Sequence, residues 1–229
     1  NVGKSTLFKA ITKKQVDCAN YPFCTIEPNV GVVAVPDSRL EILSKMSGSK
    51  KIIPAAIEFV DIAGLVAGAS KGEGLGNKFL AHIRQVDAII EVVRVFENKD
   101  IVHVSGAVNP TSDIEIINLE LVYADLSVLE KRKESIERQL KGGADRDLAM
   151  TLETIKKILP ELSVGKFARD LVMTDEEKFS IRELQLLTMK PVLYVLNCDE
   201  AQLANPPFLS SLPREIQITL CIKLEEELA

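Results

Sequence analysis

The chain opens with Asn1-Val2-Gly3-Lys4-Ser5-Thr6 and runs directly into Leu7-Phe8-Lys9-Ala10-Ile11. This is the second half of the G-x-x-x-x-G-K-[ST] pattern, and few patterns constrain a fold so tightly. It demands a loop whose backbone N–H groups wrap a phosphate, continued without a break by a helix. Within it Val2, Gly3 and Thr6 form the cradle, Lys4 reaches the β- and γ-phosphates, and the Ser5 hydroxyl holds Mg²⁺. The first glycine of the pattern would stand about three residues ahead of Asn1, after a hydrophobic strand, so the sequence reads as a fragment.

A lone G-K-[ST] is common by chance, and a second element is needed. Ala55 to Val60 reads as a strand ending in Asp61-Ile62-Ala63-Gly64. The carboxyl ends of strands are where ligands bind in open α/β sheets. Asp61 suits an aspartate that meets Mg²⁺ through water, and the Gly64 N–H a contact to a γ-phosphate. Thr25 lies between the two motifs, in Pro22-Phe23-Cys24-Thr25-Ile26-Glu27-Pro28. A hydroxyl on such a loop can bind Mg²⁺ when the γ-phosphate is present; a plain turn threonine is the alternative.

Asn197-Cys198-Asp199-Glu200 follows a later strand, where nucleotide switches read the base. The usual pattern is Asn-Lys-x-Asp, with the lysine stem over the purine and the aspartate accepting both guanine N–H donors. Cys198 replaces the lysine, and Glu200 carries its carboxylate one methylene further out. A site built for guanine's donors loses discrimination when that geometry changes, and adenine becomes admissible. Leu65 follows Gly64 where a glutamine would orient the attacking water. His103, in Asp100-Ile101-Val102-His103-Val104-Ser105-Gly106, is the histidine best placed to act instead; a structural histidine is the alternative. His82 reads as exposed.

The remaining pattern is that of an α/β chain. Apolar runs at 31–35, 55–60, 88–95, 192–196 and 216–221 read as strands, with helices after the phosphate loop, at 40–46, 78–85 and 175–187, and at the C-terminus. Pro36-Asp37-Ser38 marks a stop and a helix N-cap. Gly72, Gly74 and Gly76 have the wrong spacing for a dinucleotide fingerprint and read as loop. Leu119, Val122, Leu126, Leu129, Ile136 and Leu140 recur at three- and four-residue steps broken only by Lys133, and Leu148, Leu152, Ile155, Leu159 and Leu162 do so without a break. Joined at Gly142-Gly143, they predict an antiparallel coiled-coil hairpin. The charges from Lys131 to Arg138 are its solvated face. Only about a dozen residues lead from Glu200 to Ile216, short for a parallel crossover.

Bulk properties exclude several classes. The 229 residues are 46% apolar and 27% charged with a net charge of −5, so no global basic field calls for nucleic acid, and sequence-specific DNA binding is not expected. Between Thr111 and Met189, 12 Lys and Arg stand against 16 Asp and Glu. No apolar run reaches the length of a membrane span. Cys18, Cys24, Cys198 and Cys221 show no C-x-x-C spacing, and with two histidines they read as reduced thiols of a cytoplasmic protein.

Together N-V-G-K-S-T-L-F, P-F-C-T-I-E-P-N, D-I-A-G-L-V-x-G-A-S-x-G-E-G-L-G-N, I-x-H-V-S-G and N-x-x-E resemble the YchF-type Obg-like ATPases of the translation-factor-related P-loop class. The resemblance covers essentially the whole chain, coiled-coil insertion included. A family member would also carry a C-terminal TGS domain, which this sequence does not contain. The resemblance implies an ATP-preferring nucleotidase that associates with ribosomes and is linked to stress responses. It implies that His103 helps position the catalytic water, and that Asn1 is a K⁺ ligand beside the phosphates. Cys221-Ile222-Lys223 departs from the Ser-Ala-Lys of related G-proteins.

The expected fold is therefore a P-loop, G-domain-like α/β sheet, mostly parallel, with helices on both faces and an inserted antiparallel helical domain. Residues 1–110 and 190–229 form the two parts of the nucleotide domain, and 111–189 the insertion. The expected activity is slow, Mg²⁺-dependent hydrolysis of ATP, with GTP bound more weakly, serving as a ribosome-linked switch. Catalytic roles fall to Lys4, Gly64 and His103, metal contacts to Ser5, Thr25 and Asp61, and base contacts to Asn197 and Glu200. Two rivals remain: a GTP switch of relaxed specificity, and a non-enzymatic module that nucleotide merely stabilises.

Overall fold

Each apolar run and each helical stripe must find a face to bury, and five strands and seven α-helices result among the described residues. The structure, a computed structural model, describes residues 2–13, 29–62, 75–98 and 108–229. In chain order the elements are α1 (Lys4–Thr12), β1 (Val30–Ala34), α2 (Arg39–Ser47), β2 (Ala56–Val60), α3 (Leu75–Gln85) and β3 (Ile89–Arg94). There follow α4 (Pro110–Leu140), α5 (Arg146–Ser163), α6 (Asp175–Ser180), β4 (Val192–Asn197), β5 (Gln217–Leu220) and α7 (Ile222–Leu228).

Among the described residues the expected parallel sheet is present, and a second, two-stranded sheet accompanies it. β3, β4 and β5 make a parallel sheet in that order, with Ile89 opposite Val192, Arg94 opposite Asn197, and Asn197 opposite Leu220. β1 and β2 pair separately and antiparallel, Val30 opposite Val60 and Ala34 opposite Ala56. The link between them carries α2. β2 and β3 each keep one edge without a strand partner among the described residues. The brief connection from β4 to β5 is made with 3-10 turns at Ala201–Ala204 and Arg214–Ile216 in place of a crossover helix. Gln217 braces it, accepting from the Leu209 N–H and donating to the Leu209 and Leu212 carbonyls, each at 3.0 Å.

α4 and α5 pack side by side around Val122, Leu129, Ile136, Leu152, Ile155, Ile158 and Leu162. Local chemistry sets their starts. The Asn109 side chain accepts from Ser112 N ahead of Pro110, and Asp145 accepts from Asp147 N and Leu148 N. Two residues depart from the predicted stripe: Leu119 is 46% exposed, while Ile158, outside the stripe, is fully buried. The helix predicted at 175–187 is broken. α6 stops at Ser180, and 3-10 turns follow at Arg182–Leu184 and Leu187–Met189, with Gln185 at φ 46°. The break turns Leu186 and Leu187 inward. Ser38 precedes α2 but makes no capping bond; Asp37 accepts from the Arg39 N–H instead, at 3.0 Å.

The hairpin is anchored to the strand region by a buried carboxylate. Asp125 of α4 accepts from Leu187 N (3.0 Å), Thr188 N (2.8 Å) and Thr188 Oγ1 (2.8 Å), and pairs with Arg84 of α3 at 3.5 Å. Burial pushes its carboxyl above the ordinary range against these four interactions. Arg84 also reaches the Gln185 carbonyl (3.0 Å), and Lys190 donates to the Arg84 and Val86 carbonyls. Leu80 and Ile83 of α3 pack against Leu121, Ala124 and Leu187.

A second buried carboxyl lacks such partners. Glu91 of β3 lies beside Tyr194 in the ladder, and its Oε1 has no hydrogen bond among the described residues. Burial first, and the charge of Asp113 second, push its pKa to about 8. The folded chain therefore holds a proton that the unfolded chain releases near 4.5, the group's ordinary value. Stability falls as pH rises from about 4.5 to about 8 and levels off above. Glu91→Gln should abolish this slope, matching the parent at pH 4.5 and exceeding it at pH 8 by a few kcal/mol, at most about 5. Urea unfolding at both pH values checks this; a parent whose stability is flat between them contradicts it.

Candidate functional site

Gly3 precedes α1 at φ 98°, a left-handed conformation that a residue with a Cβ adopts only under strain. From there the helix begins at Lys4, with Leu7 N donating to the Gly3 carbonyl at 2.9 Å. Leu7 and Ile11 pack inward with Val195 of β4 and Ile222 of α7, which fixes the helix against the parallel sheet. The polar start of α1 is thereby held at the carboxyl end of β4.

Asp61, one residue past β2, meets that start. Its Oδ1 accepts from the Lys4 ammonium and its Oδ2 from the Ser5 hydroxyl at 3.2 Å. Three residues singled out for phosphate and metal chemistry thus converge from two separate elements. Ammonium, hydroxyl and carboxylate lie together at a helix N-terminus, where unsatisfied N–H groups favour an anion. The oxygen pair of Ser5 and Asp61 is a donor set of the hard kind that Mg²⁺ takes, and Mg²⁺ completes its shell with water and substrate phosphates. Among the described residues no group of three or more His, Cys, Asp or Glu could hold a metal by itself.

Asn197, expected to contact the base, also has a structural role. Its side chain is buried at the end of β4 with both halves of the amide engaged. Nδ2 donates to the Val2 carbonyl at 2.9 Å and Oδ1 accepts from Ile222 N at 3.1 Å. It is a clamp that ties the phosphate loop to β4 and to the start of α7. Cys198 and Cys221 stand behind it, free and buried, with burial pushing the Cys198 thiol up. The Glu200 side chain is exposed and makes no hydrogen bond or ion pair among the described residues.

Two contributors escaped the sequence reading. Arg94, 2% exposed at the end of β3, donates to the Phe96 carbonyl (3.1 Å) and the Asn98 carbonyl (3.0 Å), shaping the chain as it leaves the sheet. Gln202 exchanges bonds with Asp199 across the turn that holds Glu200. The D-x-x-Q spacing of 199–202 was the available signal, since it is the pattern of a capping box. Asn1, Thr25, Gly64, Leu65 and His103 lie outside the described residues. His82 is exposed on α3, as expected.

Gly3 offers the sharpest test of the clamp. A Cβ there would stand 2.5 Å from Asn197 Nδ2, on a residue already in the left-handed region. Gly3→Ala should therefore break the Asn197–Val2 bond and weaken triphosphate binding by roughly tenfold or more, a loss of about 1–3 kcal/mol. Calorimetric titration measures it, and an unchanged Kd would contradict the clamp.

Comparison with known proteins places the chain among relatives. Residues 1–124 match the family model described as 50S ribosome-binding GTPase. The chain is 49% identical over its whole length to the ribosome-binding ATPase YchF of Pasteurella multocida, covering 64% of that protein. It is 48% identical to the protein of the same name from Bacillus subtilis, covering 65% of it. The solved structure of the Schizosaccharomyces pombe YchF GTPase superposes with a TM-score of 0.80 at 38% identity, over all of this chain and 65% of that one. The chain thus spans a little under two thirds of the length of these relatives. The expected P-loop GTPase-like fold is the fold it has, and the resemblance to YchF proteins holds across it. The chain belongs to the 50S ribosome-binding GTPase family.

Proposed function

We propose that the chain is the nucleotide-handling part of an Mg²⁺-dependent nucleoside triphosphatase that prefers ATP to GTP and works slowly, as a switch. The observation that carries the reading is the convergence of Lys4 and Ser5 on Asp61. The names of the bacterial relatives, ribosome-binding ATPases, support ATP and the ribosome as partners and a cytoplasmic setting. No helix among the described residues is long and apolar enough to cross a membrane. Residues 1–110 and 190–229 would form the nucleotide domain, and 111–189 the inserted helical domain that reports its state.

In this mechanism Lys4 and the amides of Val2 to Thr6 bind the phosphates and offset charge developing on the γ-phosphoryl oxygens. Ser5 and Asp61 would hold Mg²⁺, with Thr25 added when the γ-phosphate is bound, and the ion would offset negative charge on the phosphate oxygens. The Gly64 N–H would contact the γ-phosphate. Leu65 offers no polar group to the attacking water, so His103 would orient it, and Asn1 would hold K⁺, whose positive charge would stand in for an arginine finger. Glu200 meets the base.

The GTP switch has one observation in its favour, the GTPase description of both the family model and the yeast structure. Titration with ATP and GTP separates the readings: the ATP reading expects the lower Kd for ATP. Lys4→Ala should lower kcat by roughly 10²–10³-fold. His103→Ala should lower steady-state ATPase in potassium buffer by roughly 10²-fold. Unchanged turnover in His103→Ala removes the histidine from the mechanism. Absence of γ-phosphate release with ribosomes present would favour the non-enzymatic module.

A further inference from the structure

We propose that Gln202 is a specificity-determining residue: it locks the turn 199–202 and so fixes how Glu200 approaches the base. The inference rests on the reading of residues 197–200 as the base-recognition end.

Four residues of that end could face a purine, and three are committed elsewhere. Asn197 spends both halves of its amide on Val2 and Ile222. Cys198 is buried at 2% exposure. The Asp199 carboxylate accepts from Gln202 N at 2.9 Å. Glu200 is the one whose side chain is exposed and unpaired among the described residues.

Gln202 controls the backbone on which Glu200 sits. Its Oε1 accepts from Asp199 N at 3.0 Å while its own N–H donates to the Asp199 carboxylate, a reciprocal ring that spans Glu200. Leu203 N closes the turn onto the Glu200 carbonyl at 3.3 Å. The remaining donor, Nε2, reaches the Val95 carbonyl just past β3 at 3.3 Å, and Val95 N bonds the Asn197 carbonyl at 3.0 Å. The turn is therefore pinned to the same strand ends that carry the loop clamp.

A carboxylate on a loose turn would accept from either purine, following guanine's N1–H and N2 donors or adenine's amino group as it moved. Discrimination requires that it be held so that one pattern is satisfied and the other leaves groups unpaired. Preorganisation before the ligand arrives is also what keeps the ordering cost out of the affinity. Gln202 supplies both, without touching the nucleotide.

The test compares the parent chain with Gln202→Ala, Asp199→Ala and Asp199→Asn, titrated with ATP, GTP and tripolyphosphate in Mg²⁺ buffer. Both alanine variants should bring the ratio of GTP to ATP Kd closer to one by roughly fivefold or more. Asp199→Asn retains an oxygen acceptor for Gln202 N and should keep the parent's ratio. Tripolyphosphate, which has no base, should bind all four within about twofold, since its contacts are confined to the phosphate loop. A parent preference that survives intact in both alanine variants overturns the role of Gln202 and leaves the base-end reading standing. Equal weakening of all three ligands overturns it as well, because the turn would then serve general integrity. A parent that binds ATP no tighter than GTP overturns the base-end reading, and this inference with it.

Discussion

The Asn197 side-chain amide is the interaction on which the site depends. It stands at the last paired residue of β4, with Arg94 on one side and Leu220 on the other. From there it holds the Val2 carbonyl and the Ile222 N–H, groups 220 positions apart in sequence. The buried Ile222 N–H would otherwise lack this partner, at a cost of roughly 1–3 kcal/mol. The amide is suited to this because it offers a donor and an acceptor back to back. An aspartate would repel the Val2 carbonyl, and a leucine would strand both.

A second constraint ties the helical hairpin to this framework. Asp125 is fully buried and satisfied by three hydrogen bonds plus Arg84. Two of the bonds come from the backbone of the 3-10 turn Leu187–Met189, so the carboxylate substitutes for the helical bonds that this turn lacks. Arg84 and Lys190 then satisfy carbonyls at the end of α3 and beyond α6. α3 is in turn the first described element after Asp61. The chain thus connects the phosphate loop's acidic partner to the hairpin through one helix and one buried charge.

Much of this was legible in the sequence where local chemistry decides. The G-K-S-T run, the hydrophobic runs and the capped hairpin helices each carry a signal within a few residues, and β1 to β5 fall within a residue or two of expectation. Where tertiary partners decide, the sequence misled. Leu119 fits the α4 stripe by spacing, yet the long helix is covered by α5 along only part of its length, and Leu119 lies where the cover ends. Residues 175–187 have helical periodicity, but the reach of Asp125 for the Leu187 and Thr188 N–H groups breaks the helix. Asn197 was recognised as a site residue by its motif, whereas its role as a clamp depends on Val2 and Ile222, which no local pattern connects to it.

The β3–β4 ladder carries both Glu91 and Asn197. Glu91 and Tyr194 are register partners near the middle of β3 and β4, below the first turns of α4; Arg94 and Asn197 are partners at the end, beside the phosphate loop. Side chains alternate faces along a strand, so a slip of one residue would turn Asn197 away from Val2 and swing Tyr194 to the opposite face. The buried apolar partners prevent it. Tyr194 and Leu196 pack on one face with Val93, Val192 and Ile114, while Val195 packs on the other with Leu7 and Ile222. This strong register is what allows β3 to tolerate a carboxyl as poorly paired as Glu91. The same packing that costs stability at Glu91 holds Asn197 against the loop, and the hairpin and the phosphate site are therefore fixed relative to each other through the pairing of two strands.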